Sequence, residues 1–409
     1  MFQKAAVYPR AFLILSACFF FNRIGASLIW PFITVFIREQ TGAPLSSISV
    51  LLSIQAAASL IGTSTISAVM DRFGRKRAML GGMVVFSGVL LVMSQATTLW
   101  QWAVLIAVYG ILHPVFYVGT NAMVADLVAP EQRTDAYALI RVISNLAIAV
   151  GPAVGGLLIV QSNLFAYTTT AFINIALVLP MALLIPETLP QKDDAQQQSG
   201  GYATVLRDRP FMTYISVFLL LEIAIALVFN LLSVYTKEQY GILEDQYGRI
   251  LAVNAIMVVL LQYTVTRITR RYPPFPVLTF GSLFYVVGLS GFALSSTVNH
   301  FILAMIVMTV GELIVSPTST ALVANIAPAA MRARYMGLYT MTFTLGTGIG
   351  PMLGGILSDA IAPSAIWYAG AITALLAAVG FSLMSRTWTP APIEVPVAQP
   401  VPEKSVPSP

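Results

Sequence analysis

The sequence predicts an all-α integral membrane protein, with twelve transmembrane helices in two pseudo-symmetric six-helix halves. Three observations carry this expectation. The 409 residues are 57% hydrophobic and only 10% charged, with a mean hydropathy of +0.81, which leaves too little polar surface for several water-soluble domains. Twelve stretches are apolar over the ~20 residues that a bilayer span requires. The string GPAVGG at Gly151–Gly156 returns as GPMLGG at Gly350–Gly355, 199 residues later, as expected of one half-domain written twice.

The stretches run over residues 11–37, 45–70, 77–96, 100–127, 135–161 and 164–187, then 211–236, 246–267, 274–296, 300–326, 335–358 and 364–386. The first has no small-residue cleavage site and reads as a retained helix. Residues 1–187 therefore form one bundle and 211–388 the other. Residues 188–210, polar and rich in Gly and Gln, read as a cytoplasmic linker with room for a short surface helix. The tail from 389 to 409 carries too many prolines for a helix and reads as disordered, with a polyproline docking segment as the alternative.

Basic residues of short loops stay cytoplasmic. Of the 22 Lys and Arg residues, Arg38, Lys237 and Arg249 fall on one side and Arg23 and Arg141 lie inside spans. The rest, including Lys4, Arg10, Arg133, Lys192, Arg332 and Arg386, fall on the other side. Both termini are expected in the cytoplasm, with the chain in the inner or plasma membrane. This asymmetry accounts for the net charge of +5 without nucleic acid as a partner. The single Cys18 excludes a disulfide framework. Two histidines, His113 and His300, leave little for metal ligation, and HExxH, GxSxG and GxxxxGK[ST] strings are absent, so neither an enzyme nor an ATP-driven pump is expected.

SAVMDRFGRKR at Ser67–Arg77 closes the second span, and PET at Pro186–Thr188 closes the sixth. With the two GPxxGG strings and twelve spans, this resembles the major facilitator superfamily, and within it the bacterial drug/proton antiporter branch. The resemblance covers all but the ends and the linker. It implies that Asp71 meets the start of the eleventh span, where the helix dipole favours an anion, and that Arg75 reaches Asp126. Arg72, Gly74 and Arg141 are grouped with them as a cytoplasmic gate, with Asp135 a second possible partner of Arg141. Lys76 and Arg77 are explained by topology alone. Where the family has glycine at the first motif position, this chain has Ser67. Gly151, Pro152, Gly155 and Gly156, and their counterparts Gly350, Pro351, Gly354 and Gly355, bend helices and admit close neighbours; in the fifth span the resemblance associates this motif with antiport. Gly346 corresponds to Ala147, so the second copy is the richer one.

Ionisable residues inside spans cost about 2.5–3.5 kcal/mol on insertion scales and face a cavity or a partner. Arg23, Glu222 and Glu312 stand in the first, seventh and tenth spans, which line the central cavity in the resembled fold. Glu312 or Glu222 is the expected proton carrier and Arg23 its switchable counter-charge, the alternative being a permanent Arg23–Glu pair. His113 in the fourth span either titrates or hydrogen-bonds a neighbouring helix. The resembled antiporters carry an arginine in that span, and this chain does not. Asn22, Gln55, Tyr109, Tyr117, Asn121, Asn145, Asn230, Asn254 and Gln262 are candidate cavity residues or interhelical glue.

The function that follows is secondary active transport by alternating access, with proton-coupled export of amphipathic or cationic small molecules by a monomer needing no cofactor beyond the proton gradient. The alternatives are a proton-coupled importer of a small anionic or zwitterionic solute held by Arg23, and a non-transporting sensor on a transporter scaffold.

Overall fold

The computed structural model describes residues 8–129, 132–159, 163–188, 202–328 and 331–388, and these are helical with short connections. The first half comprises α1 (Arg10–Ile29), α2 (Ile33–Thr41), α3 (Leu45–Phe73), α4 (Arg75–Met93), α5 (Leu99–Leu112), α6 (Pro114–Leu127), α7 (Arg133–Ile159) and α8 (Asn163–Leu184). A five-residue helix, α9 (Tyr202–Leu206), precedes the second half: α10 (Arg209–Tyr240), α11 (Glu244–Thr269), α12 (Pro274–Leu294), α13 (Val298–Ile326), α14 (Arg332–Ala360) and α15 (Ala365–Thr387). Among the described residues, eleven spans are long and apolar enough to cross a bilayer, α1 with α2 and α5 with α6 each counting as one. α14, with 29 residues, is the twelfth; its Gly and Thr residues dilute its hydropathy. The proline-rich tail and most of the linker lie outside the described residues.

Two spans expected to be continuous are broken, each at a proline. A 3-10 turn at Trp30–Phe32 separates α1 from α2, and His113–Pro114 separates α5 from α6. Proline has no N–H to give to the carbonyl four residues back, and in hydrocarbon that carbonyl needs another donor. For Pro114 the freed acceptor is Gly110, and the Ser59 hydroxyl of α3 donates to it at 2.9 Å. Pro317 inside α13 frees Leu313, which accepts from Gln262 Nε2 of α11 at 3.1 Å. The fourth and tenth spans are equivalent in the two halves, as are the second and eighth.

Within the first half α1 packs on α7 and α8, and α3 on α5; within the second, α10 packs on α14 and α15, and α12 on α13 and α15. The halves meet along α3 with α14 and α7 with α11. Large apolar side chains such as Phe172, Leu183, Leu260 and Leu294 are exposed on the outside, the surface expected to face lipid.

The halves are fastened at the end remote from the DRFGRKR loop. Arg38 Nε lies 2.6 Å from Glu238 Oε1, and Lys237 bonds to both Glu39 and Glu244. Ser46 N donates to Asp359 Oδ2 at 2.7 Å, and Thr34 Oγ1 to the Asn230 carbonyl at 2.7 Å. The structure is thus a state closed at this far end.

Candidate transport site

α10 is buried around most of its circumference, so Glu222 and Asn230 are carried inside by its neighbours. Glu222 from α10 and Glu312 from α13 line one chamber of about 280 Å³. Trp30, Phe218, Phe229, Tyr285, Tyr339 and Phe343 supply most of the remaining wall. Glu312 Oε2 accepts from Asn254 Nδ2 at 2.7 Å, and the same nitrogen reaches Thr309 Oγ1 at 3.0 Å. The Glu222 carboxylate has no protein donor among the described residues. Its backbone is met by Gly346 of α14, where a Cβ would come within 2.9 Å, so the richer glycine run lets α14 close over the acid. A second chamber of about 140 Å³, between α7 and α11, shares Trp30, Phe229 and Glu312 and adds Asn145, Pro152 and Asn254. Glu312 therefore faces both chambers. Trp30 stacks on Phe229, with ring centroids 5.9 Å apart, between one half and the other.

Arg23 does not join this pair. It lies in a separate small pocket of the first half with Asn22, His113, Tyr117 and Asn174, and no carboxylate stands within 4.0 Å of it among the described residues. The expected Arg23–Glu pairing is absent because these lining residues all belong to the first half, whereas both glutamates belong to the second. Among the described residues His113 makes no side-chain hydrogen bond to a neighbouring helix; it sits at the proline break, stacked on Tyr109 with centroids 5.6 Å apart.

At the basic-loop end, Arg75 Nε and Asp126 Oδ2 are 2.8 Å apart. Gly74 has φ +95°, and a Cβ there would stand 2.6 Å from Glu187 Cδ. That close approach lets Glu187 accept from the Lys76 and Arg77 backbone amides at 2.9 and 3.0 Å, an anion capping the start of α4. The glutamate of the PET string thus has a job that the sequence reading did not assign, since nothing in sequence pairs positions about 110 apart. Asp71 is exposed and bonds to nothing among the described residues, so its expected meeting with α14 is not made in this state. Arg141 pairs with neither Asp126, which Arg75 occupies, nor Asp135. Arg72 lies over the Phe73 ring.

The two GPxxGG strings divide their labour in the same way. A Cβ on Gly155 would approach the Leu28 carbonyl to 2.5 Å, and one on Gly350 the Ile223 carbonyl to 2.7 Å; Gly151 and Gly354 likewise face α1 and α10. These are contacts inside one half. The last glycine of each string faces the other half: Gly156 would meet the Glu244 carbonyl of α11 at 2.5 Å, and Gly355 the Leu45 carbonyl of α3 at 2.8 Å.

Of the remaining candidates, Asn230 lines the larger chamber while bonding back to Ala226 at 2.8 Å. Asn121 bonds to its own helix at Tyr117, Gln262 serves the α13 bend, and Gln55 lines none of these chambers. Of the far-end charges, Arg38 and Lys237 entered the sequence reading only through their side of the membrane and Glu39 and Glu238 not at all, since nothing in sequence pairs positions about 200 apart.

The sequence profile of the Major Facilitator Superfamily matches residues 15–310 and 242–406. The chain is 24% identical over 368 residues to a Na(+), Li(+), K(+)/H(+) antiporter of Planococcus maritimus, covering 81% of this chain and 86% of that protein. It is 23% identical over 375 residues to multidrug resistance protein MdtH of Yersinia enterocolitica, covering 87% and 90%. Among solved structures, a POT family transporter in complex with 5-aminolevulinic acid superimposes with a TM-score of 0.77 at 14% identity, covering 94% of this chain and 98% of that one.

Proposed function

The chain belongs to the major facilitator superfamily and is a multi-pass membrane transporter, and from that premise we propose that it exports amphipathic or cationic small molecules in exchange for protons. The observation that carries this reading is the pair Glu222 and Glu312 on one aromatic chamber with no basic side chain in its wall. Carboxyl groups in so apolar a setting hold either protons or a cation, because an unpaired charge there is costly. Entry of a cation would release the protons, and reprotonation would eject the cation. The aromatic wall suits a flat or lipophilic cation. The names of the antiporter and of MdtH agree with this class of activity. The importer reading depends on Arg23, which lines neither of the chambers that hold Glu222 and Glu312.

In this reading the DRFGRKR end is cytoplasmic, with both termini there, and the protein works as a monomer in the cell membrane. The far-end closure then makes the structure an inward-facing state, and Asp71 engages α14 only when the cytoplasmic end shuts.

The test is proton movement in proteoliposomes of the purified protein under an imposed pH gradient. A panel of lipophilic cations, alkali cations and small carboxylates would be offered to wild type, Glu222→Gln and Glu312→Gln. Proton release driven by lipophilic cations, lost in either variant, is the expected result. Carboxylates moving together with protons would sink the export reading, and exchange confined to alkali cations would replace its substrate class.

A further inference from the structure

Arg23 stands inside the first span, half-buried with its Nε enclosed, and no protein acceptor answers it among the described residues. Its Nε is buried with no hydrogen-bond partner, and none of its N–H groups meets a protein acceptor among the described residues. The Tyr117 ring lies 6.0 Å from the guanidinium carbon. A ring over the face of a guanidinium satisfies charge in part but takes none of the in-plane N–H bonds. A buried charge in this condition calls for a counter-ion.

Space for one stands beside it. The pocket lined by Arg23, Asn22, His113, Tyr117 and Asn174 has a volume of about 20 Å³, enough for at least one water-sized group. Its wall is held in place by a strap of hydrogen bonds joining α1 to α8. Asn22 Nδ2 donates to Asn174 Oδ1 at 2.7 Å, Asn174 Nδ2 to the Thr170 carbonyl at 2.9 Å, and Thr170 Oγ1 to the Gly25 carbonyl at 3.1 Å. The pocket shares no lining residue with either acidic chamber, so it is not part of the proposed cation site.

We propose that this pocket is an anion site, which takes one small monovalent anion, a halide ion or the terminal carboxylate of a solute, against the Arg23 guanidinium. A single guanidinium balances one negative charge, so phosphate and sulfate would leave charge uncompensated there. The bound anion neutralises the first span about two turns before the 3-10 break at Trp30–Phe32, and the site would be occupied whether or not a cation stands at Glu222 and Glu312.

The experiment is thermal unfolding of the purified full chain in detergent, titrated with sodium chloride, sodium bromide or sodium acetate against sodium gluconate at constant ionic strength. The expected result is a saturable rise in Tm of about 2 °C at tenfold excess over Kd, present in wild type and lost in Arg23→Gln. Saturation with halides identifies an inorganic counter-ion, and saturation with acetate alone identifies a solute carboxylate. Identical curves for wild type and Arg23→Gln, or a rise that never saturates, overturn the proposal. If Arg23→Gln does not fold, Asn174→Ala keeps the guanidinium and cuts the strap. It should weaken the anion's Kd by about tenfold, and an unchanged Kd would also overturn the site.

Discussion

Replacing the last glycine of either GPxxGG string by alanine should open the far end without unfolding either half. In Gly156→Ala the new Cβ would stand 2.5 Å from the Glu244 carbonyl, and ordinary contact begins at 3.4 Å. α7 and α11 must therefore part by roughly 0.9 Å, and the neighbour is backbone that cannot rotate away. Overpacking of this kind costs about 1–3 kcal/mol. Because the contact joins the two halves, that cost falls on the far-end-closed state alone, and the closed-to-open ratio should drop by about 5- to 150-fold. Gly155→Ala is the control: its Cβ would crowd the Leu28 carbonyl to the same 2.5 Å, but α7 and α1 move together, so it should lower Tm and leave the ratio alone. Spin labels at Gln40→Cys and Leu243→Cys, both exposed far-end positions, on a Cys18→Ala background would report the separation by pulsed electron resonance. An equal shift in the two alanine variants, or none in Gly156→Ala, would refute the division of labour between the glycines.

Arg38→Glu and Glu238→Arg should each weaken far-end closure, and the double swap should restore it; the pair is about one-third exposed, so a double-mutant cycle on the same label distances should give a coupling of only about 0.2–1 kcal/mol. Glu187→Ala removes the anion that caps α4 and should lower Tm by about 1–3 °C, with Glu187→Gln recovering part of it in the same melting experiment. Asn254→Leu strips Glu312 of its donor while leaving the chamber apolar, so transport in proteoliposomes should fall with little change in Tm; a matching loss of both would make Asn254 merely structural. Ser59→Ala and Gln262→Leu each leave a carbonyl freed by a proline unpaired and should cost about 0.6–1 kcal/mol, read as lowered thermal stability.

Span number and the internal duplication were legible because hydropathy and the GPxxGG repeat are local signals. So were the ionisable residues within the spans, since Glu222, Glu312 and Arg23 stand alone in apolar runs. Which of them share a cavity was not legible. Helical periodicity tells which face a residue occupies but not which helix it faces, and Arg23 was grouped with glutamates that belong to the other half. The breaks at Trp30–Phe32 and His113–Pro114 were missed for a different reason: a proline can sit inside a continuous helix, as Pro152 does in α7 and Pro317 in α13, or interrupt one, and the local sequence does not distinguish the two. The ion pairs that join the halves at the far end were invisible because their partners stand about 200 residues apart.

The bends at Pro114 and Pro317 place the same demand on two halves that have drifted apart, and they answer it with different chemistry: a serine hydroxyl from α3 in one, a glutamine amide from α11 in the other. Ancestral duplication thus survives here as a kept bond rather than a kept residue. A residue-by-residue alignment of one half on the other would score Ser59 and Gln262 as unrelated. Exchanging segments between the halves, or between this chain and a relative, should succeed only when donor and bend travel together, so α3 with α5–α6 and α11 with α13 are the smallest units that can be transplanted intact.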